Sequence, residues 1–335
     1  SIRRQRQMCI RDRALVQLAR DFQEAGVRLY GVGGMVRNPR LGLPISDMDI
    51  TSALRPEGVL ALCEGKGYGV VKKGLAFGMV EIHLGGYAFE HTTFRADTYG
   101  PGGGHRPTAI AFSDTVEADA FRRDFTVNAL YQDLLTGTVL DPTGGLKDLA
   151  AKRLRATSPD PAVILRDDAL RVLRLARFCG ELGFEPEPGT FGAAQRFVGG
   201  LKDISRERVR DELQKILLAD GKYGNQAGVY QGLHLLDRLG ALEVILPALA
   251  AGRGLGQRQE YHAYDVLEHG LQTAAQAELA GGLELRLGAL LHDVGKPAAF
   301  QATGRMLHHD QMGADIAREM VTGLRFSNQV QEEVS

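Results

Sequence analysis

The feature that most constrains this fold is a change in hydrophobic periodicity near residue 145. Before the turn sequence Asp141-Pro142-Thr143-Gly144-Gly145, strand-like runs alternate with helical segments, and after it the periodicity is mainly helical. We therefore predict an α+β chain. Its N-terminal head has a mixed or antiparallel sheet with helices, and all-α neck, body and C-terminal modules follow. The expected domains are residues 14–145, 146–250 and 257–335.

Local patterns predict the first elements of the head. They indicate a helix at 14–25, strands at 27–32, 46–51, 79–84 and 87–94, and a Gly/Pro-rich loop at 97–107. The pair Gly85-Gly86 between two strand-like runs is typical of a β-hairpin. In the helical part, a stripe of apolar residues at 172, 175, 176 and 179 predicts one helix, and residues 205–218 predict another with Ser205 as its N-cap.

Composition excludes several classes of protein. The 335 residues hold 40 Lys and Arg against 41 Asp and Glu, so a generally basic nucleic-acid coat is excluded and any nucleic-acid contact must be local, for example at 152–155 or 206–210. Three widely spaced cysteines argue against a disulfide framework or a thiolate zinc site and favour a cytoplasmic location. No apolar run reaches membrane-spanning length, so no membrane partner is expected. The chain starts at Ser1 and stops inside a helical pattern, which indicates a piece of a longer protein with a truncated last module.

The sharpest chemical signal is a glycine pair followed by two aspartates. Gly33-Gly34 lies between a strand and a helix, where exposed backbone N–H groups can cradle a phosphate, and Arg37 adds a positive fork for the same anion. Asp47 and Asp49, at i and i+2 of a strand, would share one face and offer oxygen ligands suited to Mg²⁺. Together they predict phosphoryl or nucleotidyl transfer, whereas either feature alone is more often a plain turn or a solvated strand face.

The segment LYGVGGMVRNPRLGLPISDMDIT resembles the first motif of the class II tRNA nucleotidyltransferase and bacterial poly(A) polymerase family, and further segments match in order over residues 27–218. Within FEHTTFR, the resemblance implies that Glu90 sits beside the aspartate pair as a third acidic group. Within RRDFTVNAL, it implies that Arg123 and Asp124 meet the ribose and phosphates of the nucleotide, with Asn128 one turn on. The chain departs from the family at Asn38, where Asp is frequent.

The segment DDALRVLRLARF resembles the family's base-reading helix. The resemblance implies that Asp168 and Arg171 read the Watson–Crick edge of the incoming base, and that Arg174 and Arg177 help hold the triphosphate. An Arg offers donors to base acceptors and an Asp accepts from an exocyclic amine, so such a pair can favour C or A without a nucleic-acid template. From spacing alone, an ordinary surface ion pair between Asp168 and Arg171 is the competing interpretation.

The last module resembles the HD family of metal-dependent phosphohydrolases. The resemblance rests on EYHAYDVLEHGLQTA, LRLGALLHDVGKP and MLHHDQMGA, and it implies a second metal site formed by His269, His292, Asp293 and His309. Imidazole and carboxylate ligands suit transition metals or Mg²⁺.

These resemblances imply a template-independent enzyme that adds C, A or both to the 3′ end of tRNA from CTP and ATP, with Mg²⁺ as the cofactor of the head. Alternatives of the same class are a poly(A) polymerase and an enzyme that adds only CC or only A. Alternatives of other classes are a phosphohydrolase acting through the HD module and a non-catalytic RNA-binding protein. No protein partner can be inferred.

Overall fold

The computed structural model describes residues 2–98, 109–256, 264–306 and 309–334. The described chain forms two compact units, one up to Ile164 and the other from Leu165 on. Most of the loop expected at 97–107 lies outside the described residues. None of the described helices is long and apolar enough to cross a membrane.

The first unit is built on a seven-stranded sheet with the strand order β3-β4-β5-β2-β1-β8-β9. Strands β2 and β5 are parallel, and the other neighbours in this sheet are antiparallel. The α+β fold class is therefore confirmed. The elements of this unit are α1 (Ile2–Glu24), β1 (Tyr30–Val32), α2 (Gly34–Arg40), β2 (Asp49–Ser52), α3 (Pro56–Lys66), β3 (Gly69–Gly74), β4 (Met79–Leu84), β5 (Tyr87–Thr93), β6 (Arg95–Thr98), β7 (Ala109–Phe112), α4 (Val116–Phe121), β8 (Tyr131–Asp133), β9 (Val139–Leu140), α5 (Gly145–Ala150) and β10 (Arg153–Leu154).

One face of this sheet is covered, and that fixes where polar chemistry can lie. Leu18 and Phe22 of α1, with Val59 of α3, pack in one buried cluster against Ile50, Val80, Ile82 and Phe89 of the sheet. Because side chains alternate between the faces of a strand, the residues between these apolar ones point to the other face of β2, β4 and β5. That face carries the acidic residues described below.

The hairpin between β4 and β5 forms as expected. Both residues of its turn have positive φ, 62° at Gly85 and 80° at Gly86, a conformation that two glycines adopt without strain. Three other predicted boundaries differ. Helix α1 starts well before residue 14, β1 is shorter than 27–32, and β2 begins at Asp49 rather than at residue 46.

The second unit is helical almost throughout. Helix α6 (Pro161–Asp167) contains the boundary between the units, and the elements after it are α7 (Leu170–Leu182), β11 (Glu185–Pro186), α8 (Pro188–Phe197), α9 (Arg206–Leu217), α10 (Ala219–Tyr223), α11 (Gly228–Arg238), α12 (Ala241–Ile245), α13 (Pro247–Ala250), α14 (Val266–Gln276), α15 (Gly282–Leu291), α16 (Lys296–Thr303), α17 (His309–Gly323) and α18 (Asn328–Val334).

The predicted helices of this unit are present. The apolar stripe of α7 is fully buried at Val172, Leu175, Ala176 and Cys179, as its spacing predicted. Ser205 occupies the N-cap position of α9 but makes no side-chain cap hydrogen bond, so the expected capping contact is absent. Cys63 and Cys179 are buried and free.

Candidate active site

Three acidic side chains lie side by side across one face of the sheet in the first unit. Asp49 of β2 is in register with Glu90 of β5, and Glu90 is in register with Glu81 of β4. Residues directly opposite each other on neighbouring strands share a face, so the three carboxylates form a row, which we call the acidic row. Glu81 was not singled out from the sequence. Counting outward from the two-residue Gly85-Gly86 turn would have placed it opposite Glu90.

Asp49 is the member of the acidic row whose pKa is raised by its surroundings. Its pKa is raised to about 6, because burial disfavours the charged form and because the negative charges of Glu90 and Asp47 act in the same direction. Arg123 and Arg37 oppose this shift without cancelling it. Negatively charged oxygen ligands are what a hard divalent cation prefers, so the donor chemistry of these residues fits such an ion. Among the described residues, the ligand atoms of Asp47, Asp49 and Glu90 do not all lie within 4.8 Å of one another.

Asp47 reaches this region from a loop rather than from a strand. It is exposed and accepts a hydrogen bond from Ser46 Oγ at 2.9 Å, two residues before β2 begins. The prediction that both aspartates lie on one strand is therefore wrong, because regular strand geometry starts only at Asp49. The two carboxylates are nevertheless close enough for Asp47 to raise the pKa of Asp49.

The glycine turn lies directly beside Asp49. Gly33 has φ +63°, and a Cβ built on it would lie 4.0 Å from Asp49 Oδ2 and 3.9 Å from the backbone oxygen of Asn128. Helix α2 starts at the next residue, Gly34. The positive φ explains why glycine occupies position 33, because a residue with a side chain would be strained in that conformation, whereas both atoms lie at ordinary van der Waals distance.

Arg37 is fixed by a chain of buried polar side chains. Its Nε donates to Asn38 Oδ1 at 3.0 Å and its Nη1 donates to Asn128 Oδ1, while Asn128 Nδ2 donates to Asp124 Oδ1 at 3.1 Å. Asn38 in turn donates through Nδ2 to the carbonyl of Pro44 at 2.8 Å. An amide accepts and donates at once, so Asn38 links Arg37 to the loop that leads to Asp47, which an ionised Asp would not do. Arg37 Nη2 lies 3.7 Å from where a Cβ of Gly34 would be, so the guanidinium adjoins the glycine turn.

A second buried network holds Arg123. Its guanidinium donates to Asp119 Oδ2 at 2.9 Å and to the Tyr131 hydroxyl, and Tyr131 also donates to Asp119 at 2.7 Å. Arg122 donates to the other oxygen of Asp119 at 2.7 Å. Burial alone would raise the pKa of Asp119, but the two arginines hold it at about 2. Asp119 is thus a permanently charged anchor, and sequence reasoning missed it because one acidic residue in a short helix carries no spacing signal.

In the second unit, the predicted base-reading residues lie around α7. Asp168 accepts from the backbone N–H of Leu170 at 3.0 Å and from Arg208 of α9 at 2.9 Å, which fixes its carboxylate at the start of the helix. Arg171 is 8% exposed. The role of this pair in base selection stays a prediction.

The two arginines that follow on α7 face α9. Arg177 is 7% exposed, donates to Glu212 Oε2 at 2.6 Å, and also contacts Glu181 at 3.3 Å. Arg174 lies 3.8 Å from Glu212 and is about one-third exposed. These contacts favour a bracing role for Arg177, and the predicted triphosphate contact remains untested for both residues.

The C-terminal part of the second unit gathers the predicted metal ligands. His269 Nε2 lies 3.2 Å from His292 Nε2, and Asp293 Oδ2 lies 3.2 Å from His292 Nε2 and 3.7 Å from His269 Nε2. Among the described residues, this is the one group of three His, Cys, Asp or Glu side chains whose ligand atoms all lie within 4.8 Å of one another. His309 Nε2 lies 3.7 Å from Asp293 Oδ1. Lys296 donates to Asp293 at 2.7 Å, so a cation there would share that carboxylate with an ammonium group.

Comparison with known proteins places these features in one family. The poly A polymerase head domain matches residues 29–155, the probable RNA- and SrmB-binding site of polymerase A matches 183–252, and the HD domain matches 266–334. The chain is similar over most of its length to tRNA nucleotidyltransferases and poly(A) polymerases, with an HD-domain match after the helical region. The resemblance read from the motifs is confirmed.

Particular relatives are tRNA-processing enzymes. The chain is 36% identical over 269 residues to a CCA-adding enzyme of Limosilactobacillus fermentum, covering 80% of this chain and 61% of that enzyme. It is 38% identical over 230 residues to an A-adding tRNA nucleotidyltransferase of Deinococcus radiodurans, covering 64% and 50% of the two chains. The structure of the Bacillus stearothermophilus CCA-adding enzyme with CTP superposes with a TM-score of 0.66 at 26% identity, over 96% of this chain and 68% of that one. The chain thus spans 61% and 50% of the lengths of the Limosilactobacillus and Deinococcus enzymes, which is less than two thirds of each.

Proposed function

We propose that this protein is a template-independent nucleotidyltransferase that adds C, A or both to the 3′ end of tRNA from CTP and ATP, with release of pyrophosphate. The observation that carries the proposal is the position of Asp49: its carboxylate lies beside the Gly33 turn and is flanked by Glu90 and Asp47. The family supplies the reaction class, since its relatives include a CCA-adding enzyme and an A-adding tRNA nucleotidyltransferase.

In this proposal, Asp47, Asp49 and Glu90 hold Mg²⁺ in the head. The ion would supply charge stabilisation at the α-phosphate and a lower pKa for the attacking hydroxyl. The 3′-hydroxyl of the tRNA attacks the α-phosphorus of the nucleotide, a new P–O bond forms, and the bond to the leaving pyrophosphate breaks.

The remaining residues of the head act on the nucleotide. The backbone of Gly33 and Gly34, with Arg37 held beside it, binds phosphate oxygens. Arg123, fixed by Asp119 and Tyr131, contributes a positive charge whose effect already reaches Asp49. Asp124 and Asn128 keep Arg37 oriented through their shared hydrogen bonds.

Base choice is assigned to Asp168 and Arg171 of the second unit, with Arg174 beside them and Arg177 bracing α7 against α9. The tRNA is held by shape and phosphate contacts, as is usual for structured RNA. The choice between CCA, CC-only, A-only and poly(A) addition is open within this proposal.

One assay tests the reaction and its specificity together. The full chain is given labelled CTP or ATP separately, with Mg²⁺ and with tRNA acceptors that lack CCA, lack only the last A, or are mature. Asp49→Ala is expected to lower incorporation by at least about 10³-fold, because the variant loses a ligand of the proposed ion. The matched control is Asp114→Ala, which removes an exposed carboxylate of the same unit. Near wild-type extension by Asp49→Ala would contradict the proposal.

A second activity is favoured by the cluster of His269, His292 and Asp293, which has the spacing of a metal site. We propose phosphohydrolase activity there as the alternative function. It predicts metal-dependent phosphate release that is lost in His292→Ala and unchanged in Asp49→Ala. Phosphate release that follows the head variant instead would assign the activity to the head.

A further inference from the structure

A lysine at the end of the acidic row has two carboxylates within reach. Lys73 of β3 makes an ion pair with Glu81 and lies 3.6 Å from Glu90 Oε2. The pairing register of β3 with β4 shifts between Val71 and Gly74, the stretch that carries Lys73. Glu81 is itself held by a second contact, from His83 Nε2 at 2.8 Å.

The ammonium group of Lys73 lies at the Glu81 end of the acidic row. From β4 to β2 the order is Glu81, Glu90, Asp49, and Lys73 contacts the first two. Glu81 is the closer partner of the ammonium group, so the attraction between Lys73 and Glu90 is the weaker of the two. Glu90 is also one of the two members of the acidic row, with Asp49, that the proposed function assigns to the divalent cation.

We propose that Lys73 and Glu81 are positioning residues that set how strongly Asp47, Asp49 and Glu90 bind a divalent cation, because Glu81 keeps the ammonium group of Lys73 from neutralising Glu90. This inference rests on the metal site of the proposed function. Neither residue touches the ion or the nucleotide in this scheme, and both act through Glu90.

The charges give the two positions opposite effects. Removing the lysine charge leaves Glu90 more negative, so the cation binds more tightly. Removing the Glu81 charge leaves the ammonium group of Lys73 to pair with Glu90. There it competes with the divalent cation, so the binding of the divalent cation weakens. Removing one unit charge from a side chain next to Glu90, in this partly exposed site, is expected to change the affinity for the divalent cation by roughly 3- to 10-fold. Removing both charges returns the affinity close to its starting value.

The test measures binding of Mn²⁺ alone by the electron paramagnetic resonance signal of the free ion. The full chain carries His292→Ala in every sample, which silences the second candidate metal site. Lys73→Met is expected to lower the Kd for Mn²⁺ by roughly 3- to 10-fold, Glu81→Gln to raise it by a similar factor, and the double variant to restore it within about twofold. Lys73→Arg keeps the charge and should stay within about twofold of the parent.

The matched control is Lys72→Met, which removes the same charge from the neighbouring position of β3. It is expected to change the Kd less than Lys73→Met does. Shifts of the two single variants in the same direction, or equal effects at positions 72 and 73, would overturn the inference. Unchanged Mn²⁺ binding in Lys73→Met would also overturn it and would favour a lysine that contacts nucleotide phosphates.

Asp49→Ala in the same background separates the two proposals. If this variant still binds Mn²⁺ like the parent, the metal site of the proposed function is wrong and the inference falls with it. If Asp49→Ala loses binding while the variants at 73 and 81 leave the Kd unchanged, the inference alone is wrong.

Discussion

Buried carboxylates such as Asp119 and Asp21 accept from several donors, and Asp21 shows what that does to a pKa. Asp21 of α1 is 1% exposed and accepts hydrogen bonds from Tyr68 at 2.6 Å and Gln17 at 3.1 Å, with Lys66 Nζ at 3.0 Å. Burial alone would raise its pKa, but these partners outweigh burial and lower it below the ordinary value of 3.8. The carboxylate therefore links α1 to Lys66 at the end of α3 and to Tyr68, which lies between α3 and β3, and these contacts are strongest while it is ionised.

This residue predicts an acid-dependent loss of stability. Asp21→Asn is expected to lower the free energy of unfolding by about 1–3 kcal/mol at neutral pH, since it removes charge-assisted hydrogen bonds to a buried group. Because the folded-state pKa is the lower one, the carboxylate's contribution is complete above the ordinary value of 3.8 and disappears as the pH falls through the folded-state pKa.

Urea denaturation of wild type and Asp21→Asn at pH 7, 5 and 3.5 measures this difference. The gap between the two proteins should narrow toward pH 3.5. Asp12→Asn, at an exposed position of α1, serves as the control. A gap that is the same at all three pH values would contradict the assignment.

At the scale of elements, two local signals predicted the structure correctly, several element ends were predicted wrongly, and long-range strand pairings could not be predicted from local patterns. The Gly85-Gly86 hairpin and the buried stripe of α7 follow from spacing within a few residues. The parallel pairing of Asp49 with Glu90 joins strands that are distant in the sequence, and the family resemblance, not the pattern of residues, brought Glu90 to the site. Likewise, nothing within α7 shows that Arg177 meets Glu212 of α9.

Helices α7 and α11 cross at two glycines. A Cβ on Gly180 would lie 2.5 Å from the backbone oxygen of Gly228, and a Cβ on Gly228 would lie 2.5 Å from that of Gly180. Since backbone atoms cannot move aside as a flexible side chain can, the crossing requires both glycines. The helix that carries Arg171 is thus held at a fixed distance from α11.

Gly180→Ala is therefore expected to destabilise the protein by about 1–3 kcal/mol through overpacking. Thermal or urea denaturation measures it. Gly192→Ala in α8 is the matched control, because nothing lies within 4 Å of a Cβ at that position, and the substitution should be neutral or stabilise by up to about 1 kcal/mol. Equal stability of the Gly180 variant and wild type would show that the two helices can separate without cost.

At the scale of the molecule, one buried ion pair joins two parts of the second unit. Arg286 of α15 is 1% exposed, donates to Asp220 of α10 at 2.5 Å and 2.6 Å, and also donates to the Leu217 carbonyl at 2.8 Å. Its guanidinium lowers the pKa of Asp220. The pair connects the region matched by the RNA-binding-site model with the region matched by the HD domain.

Breaking this pair from one side should loosen both regions together. Arg286→Met leaves a buried carboxylate without its counterion and is expected to cost about 3–5 kcal/mol. Hydrogen exchange should then rise in α10 and α15 alike. The double variant Arg286→Met with Asp220→Asn should recover part of the loss, because no uncompensated charge remains. Faster exchange confined to α15 would mean that the regions open independently.

The place of β3 at the end of the seven-stranded sheet bears on how the protein behaves when it is concentrated. An outermost strand leaves backbone groups available for a strand from another molecule, and Val70 and Val71 expose apolar surface beside them. Lysines on an edge strand discourage strand pairing between two copies of the protein, and Lys72 and Lys73 lie on this one. A substitution of Lys73 therefore changes the protection of this exposed strand edge as well as the charge beside the acidic row.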